Sequence, residues 1–162
     1  MKLNKIRFDR LNKIRLDRLN KIAAAKDTAK KETEAANEET RVACVKRIKE
    51  YCIPKFAELL ALERALERAT DTECRLVVQV ANDNNFMYYP AWHGGKAGFA
   101  VSVSNTSTYY YTVTKDGELW KNCSYGKQFP MQLDDMPYWL AVQFADGFDK
   151  WETELYRKVD AV

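Results

Sequence analysis

The rhythm of apolar positions changes near residue 71. Ahead of it, Val42, Val45, Ile48 and Cys52 recur at three- and four-residue intervals, followed by Phe56, Leu59, Leu60, Leu62 and Leu66. That spacing puts side chains along one face of a helix. Pro54 lies between the two stripes; it lacks a backbone donor and disfavours helical geometry at Ile53, so a kink or a restart is expected there. Asn37 followed by Glu38 and Glu39 predicts a helix start, because acidic side chains favour the positive end of the helix dipole. The second stripe runs through a short repeat, ALERALER, and is expected to pack on a core, being too short for a coiled-coil seam.

Behind residue 71 the period shortens. Residues 76–81 read as a largely apolar strand. Phe99, Val101 and Val103 alternate with Ala100, Ser102 and Ser104, and Tyr109, Tyr111 and Val113 with Tyr110, Thr112 and Thr114. Alternation of this kind is the mark of a strand with one buried face. Asn105 and Thr106 are placed to turn the first of these strands into the second. Lys115-Asp116-Gly117 predicts a hairpin, with Leu119–Cys123 as the returning strand. Asp134 and Asp135 ahead of Pro137 suggest a helix opening. Leu140, Phe144, Phe148, Trp151, Leu155 and Val159 then form a helical stripe in which Gly147 predicts a kink.

Composition sharpens this division. All six glycines lie beyond residue 93, and of twenty aromatic residues only Phe8, Tyr51 and Phe56 precede residue 86. Helices first and a sheet afterwards predict an α+β fold: N-terminal helices, a three- or four-stranded antiparallel meander, and a C-terminal helix packed on it. Residues 26–40 carry little that is apolar except alanine. The expected organisation is a basic arm over 1–22, a charged helical connector over 23–40, and a single α+β domain over 41–162.

The arm is written in an eight-residue repeat, LNKIRFDR, LNKIRLDR, LNKI. As a helix, each repeat advances about 800°, two turns plus roughly 80°. Leu3, Leu11 and Leu19 therefore wind around the axis, which disfavours a membrane-surface helix needing one persistent apolar side. A helix marginal by itself and ordered against something large is the expectation. Charge is concentrated here: eight of the 26 basic residues and two of the 23 acidic ones fall in residues 1–22, making the arm about +6 and the remainder about −3. Lys2, Lys5, Arg7, Arg10, Lys13, Arg15, Arg18 and Lys21 are the candidate contacts to nucleic acid or another anionic partner, through phosphates and counterion release.

Candidate chemistry elsewhere is sparse. The four cysteines show no Cys-x-x-Cys pair and there is one histidine, so no metal site and no cofactor is expected, and reduced thiols suit a cytoplasmic protein. No apolar run is long enough to span a bilayer, and no secretory signal is evident. The stretch from residue 82 to 96 reads as a loop, and its residues Tyr88, Tyr89, Trp92, His93 and Lys96 form a possible contact loop. The His-Gly-Gly order there has no accompanying Gly-x-Ser-x-Gly elbow, and Lys96 lacks phosphate-loop spacing. Acid pairs at Asp134/Asp135 and Asp146/Asp149 have the chemistry to bind a cation or serve acid–base work, but helix capping and a solvated helix face are the simpler expectation. Tyr109, Tyr110 and Tyr111 put rings on both faces of one strand, suited to core packing, to a protein interface or to base stacking.

The reading is a non-enzymatic binding protein. Its arm engages nucleic acid or a nucleoprotein complex and its domain makes protein contacts, as in phage or mobile-element inhibitors of host machinery. A structural or assembly protein is the alternative, and a small-ligand binder or enzyme using residues 92–96 a further one.

Overall fold

A computed structural model describes residues 2–71, 80–81, 86–103, 109–123 and 126–162. Two units are distinguished along the chain, Met1–Glu39 and Thr40–Val162. Helix α1 runs Lys2–Arg47. It is rich in Ala, Leu, Lys, Arg and Glu and holds no glycine or proline, so nothing in its sequence interrupts the backbone ladder. Asn37 lies inside α1, and the helix start expected there does not occur: the residues before it are equally good helix formers.

Pro54 is accommodated by widening the turn ahead of it. Ile48–Cys52 is π-helical, and the Ile53 amide donates to the Ile48 carbonyl five residues back. The extra residue relieves the clash that a proline ring imposes on the preceding turn. Helix α2, Ile53–Thr70, follows and closes on Asp71 in the left-handed region at φ 52°, which a short polar side chain tolerates.

The sheet is an antiparallel meander of six strands in sequence order: β1 Val80–Ala81, β2 Phe86–His93, β3 Lys96–Val103, β4 Tyr109–Thr114, β5 Leu119–Cys123 and β6 Gln128–Met131. This exceeds the three or four expected. β6 carries little strand signal in the sequence, being four residues long with a proline inside it. Residues 76–79, the turn at Asn105 and Thr106, and Cys74 lie outside the described residues. The expected contact loop is mostly strand. His93 pairs with Lys96 across Gly94 and Gly95, whose φ values of 56° and 78° make the two-residue turn that matches strand twist. The aromatic run before it has high strand propensity and forms β2.

Register places Tyr88, Val101, Tyr111, Lys121 and Phe129 in one row across β2 to β6, with Pro90, Phe99, Val113, Leu119 and Met131 beside it on the same face. The π segment, α2 and helix α3, Tyr138–Asp160, pack against this face. Phe99 is the hub, its ring 5.4 Å from Phe148, 5.6 Å from Trp151 and 6.4 Å from Phe144. Each such ring removed from water contributes roughly 1.5–3 kcal/mol. The expected stripes supply the core: Val45, Ile48, Cys52, Phe56, Leu59 and Leu66, with Leu140, Phe144, Phe148, Trp151 and Leu155 from α3. Val42 is exposed.

Asp134 and Asp135 do not cap α3. They belong to a 3-10 turn, Leu133–Asp135, and the helix starts after Pro137. Arg41 fastens that turn by donating to the carbonyls of Asp134 (2.6 Å) and Met136 (3.2 Å), and Lys49 pairs with the Asp134 carboxylate. The kink expected at Gly147 is absent as a helix break, since α3 continues through it.

Candidate nucleic-acid interface

Every described residue from 2 to 36 is exposed, including all eight arm cations and Leu3, Ile6, Phe8, Leu11, Ile14, Leu16, Leu19 and Ile22. Helical geometry winds each repeat position around the axis by about 80°, so cations and apolar groups occur on all sides. Among the described residues, none of Lys2, Lys5, Arg7, Arg10, Lys13, Arg15, Arg18 and Lys21 enters an ion pair. Arg15 instead donates to the side-chain oxygen Oδ1 of Asn12 at 3.3 Å. The arm's charge is therefore presented to solvent, the state in which phosphate contacts displace the most counterions.

The five residues of the expected contact loop do not share one site. Strand alternation sends Tyr88 and Trp92 to the helix-covered face and Tyr89, His93 and Lys96 to the other. Tyr88 is fully buried and its hydroxyl donates to Gln143 Oε1 at 2.6 Å; burial pushes the phenol up to about 12. Trp92 is exposed, with the Arg64 guanidinium 5.1 Å from its ring centre.

His93 is buried in a polar chain on the second face. Asn122 donates from Nδ2 to Thr112 Oγ1 (3.3 Å), which leaves its Oδ1 to accept from His93 Nδ1 (3.3 Å) and fixes the imidazole tautomer. The imidazole stacks on Trp120 at 4.1 Å, and Trp120 Nε1 donates to Glu118 Oε2 (3.0 Å). Lys96 ends the chain against Glu118 (2.6 Å) and Asp116 (3.1 Å). The Lys96 hydrogen bond holds the Glu118 carboxyl below its ordinary value. Each member answers another, so the cluster orders the hairpin ends and offers no activated nucleophile. Among the described residues no group of three metal-ligating side chains converges, and no helix is long and apolar enough to cross a membrane.

Two features of the structure lie outside the sequence expectations. Glu63 is buried in the α2 stripe; its signal was its position, since 56, 59, 63 and 66 continue the apolar spacing. Trp139, at the start of α3, packs beside Phe86 (6.2 Å) and Tyr111 (5.6 Å) while remaining exposed; no local pattern marks it. No protein-family model, curated protein or solved structure matches this chain.

Proposed function

We propose that this is a non-enzymatic binding protein whose arm engages nucleic acid or a nucleoprotein complex while the α+β domain makes protein contacts. One observation carries the reading: eight exposed cations within twenty residues, none paired to a carboxylate among the described residues. A cationic arm joined to an aromatic-rich domain suits a phage or mobile-element inhibitor of host machinery acting in the cytoplasm.

The test compares the full chain with a variant carrying glutamine at all eight positions, which keeps helix propensity while removing charge. Binding of a labelled oligonucleotide is followed at about 50 and 200 mM salt. With about five phosphates engaged, wild-type affinity falls roughly 500-fold across that range. The glutamine variant binds weakly at both concentrations and loses most of the salt slope. Equal binding by the two proteins would remove the arm from the interface.

A further inference from the structure

We infer that the sheet corner formed by Tyr109, Tyr111, Lys121, Phe129 and Trp139 is a stacking platform for single-stranded nucleic acid. The inference rests on the arm reading for its class of partner and on separate residues for its contacts.

Helix α3 and the π segment cover the helix-facing side of the sheet at Tyr88, Phe99 and Val113 but leave rings exposed where β4 begins. Tyr109 and Trp139 are each 42% exposed and Phe129 48%. Four strong observations fix the geometry. Trp139 packs edge-on to Tyr111 at 5.6 Å, with the rings 78° apart. Tyr111 pairs with Lys121 across β4 and β5, and Lys121 with Phe129 across β5 and β6. The Lys121 ammonium lies 4.4 Å from the Tyr109 ring centre. With strands about 4.8 Å apart, Tyr111 and Phe129 stand roughly 10 Å apart, with the Lys121 position between them and its ammonium turned onto Tyr109.

Those rings are held in place by neighbours. Trp139 is wedged between Phe86 and Tyr111, and Tyr109 is steadied by Lys121, so their faces are ordered before anything binds. Ordering a contact in advance lowers the entropy cost of association.

Charge selects the occupant. On the strands of the corner, across 109–111, 121–123 and 126–131, the charged residues are Lys121 and Lys127, both positive, while ahead of Trp139 stand Asp134, paired with Lys49, and the exposed Asp135. An apolar protein partner would gain nothing from these cations. A single strand presents what the corner complements: flat rings for aromatic faces and phosphates for ammonium groups. A duplex hides its base faces in the stack and cannot use the platform. The chain would then hold nucleic acid in two ways: electrostatically through the arm, and by stacking through the sheet.

The experiment measures binding of the full chain to a labelled oligothymidylate of about 12 nucleotides and to a duplex of the same length, at about 300 mM salt, where the electrostatic contribution is reduced. Tyr109→Leu and Trp139→Leu keep apolar bulk and remove the ring; Tyr109→Phe and Trp139→Phe restore it. The expected result is a preference of the wild type for the single strand. Each leucine variant loses about 5- to 100-fold of single-strand affinity, duplex binding is unchanged, and the phenylalanine variants recover most of the loss. Circular dichroism of each leucine variant checks the fold, and Lys121→Glu, which removes the cation from the Tyr109 ring and keeps every aromatic residue, is expected to weaken single-strand binding as well. Equal affinity for strand and duplex, or leucine variants that bind as the wild type does, would overturn the platform. If the eight-glutamine variant keeps full affinity for both probes while the leucine variants lose the strand, the arm reading fails and the platform stands.

Discussion

Glu63 occupies a position where the stripe of α2 calls for an apolar side chain, and it is 1% exposed. Burial, followed by the charge of Glu67, pushes its carboxyl up to about 7 from 4.5, against the pull of Arg64. A raised folded-state pKa means the native protein holds this proton more tightly than the unfolded chain does. The residue's contribution to stability is therefore fully present below about pH 4.5 and is lost as pH rises through about 7. The loss amounts to about 3 kcal/mol at most, by the conversion of 1.36 kcal/mol per pKa unit. Glu63→Gln carries no charge to desolvate. Urea unfolding at pH 4 and pH 8 is expected to show the variant near wild type at the acid end and more stable at the alkaline end. Parallel pH dependences in the two proteins would show that Glu63 is not the group responsible.

Between elements, α3 and β2 approach closely at Gly147. A Cβ placed on Gly147 would sit 2.0–2.6 Å from the Tyr88 ring carbons, and that ring is buried and tied to Gln143. Helix propensity alone favours Gly147→Ala by up to about 1 kcal/mol. Overpacking against an immobile ring costs about 1–3 kcal/mol and is expected to win. Chemical denaturation should therefore show Gly147→Ala destabilised, and a stabilised variant would mean that the tyrosine swings aside. The stripe through Gly147 is readable because helical periodicity survives a glycine; the ring facing it is not, since Tyr88 lies 59 positions away in a run without alternation. Leu119–Cys123 does not alternate, but it stands where the Lys-Asp-Gly turn returns the chain. Phe86–His93 is apolar or aromatic on both faces, so it carries no alternation to detect. The arm cations were legible because exposure of a charge needs no partner. The aromatic corner was not, because it is assembled by register between four elements.

The molecule combines two kinds of order. In residues 40–162 helix and sheet close around Phe99, Phe144, Phe148 and Trp151, and the backbone bonds of β3, β4 and α3 open only when that core does. Residues 2–36 are helical with every side chain exposed, so their bonds rest on local helix propensity alone. Native-state hydrogen exchange should separate the two. Arm amides are expected to open at a cost of roughly 0–2 kcal/mol, whereas amides of β4 and α3 approach the global unfolding free energy. Adding a saturating oligonucleotide should slow exchange in the arm, because a bound phosphate row penalises every opening that releases a cation, and the eight-glutamine variant should show no such slowing. Arm amides as protected as those of β4 in the free protein would mean that the arm belongs to the cooperative core, and the electrostatic mode of binding would then have to begin by breaking native structure.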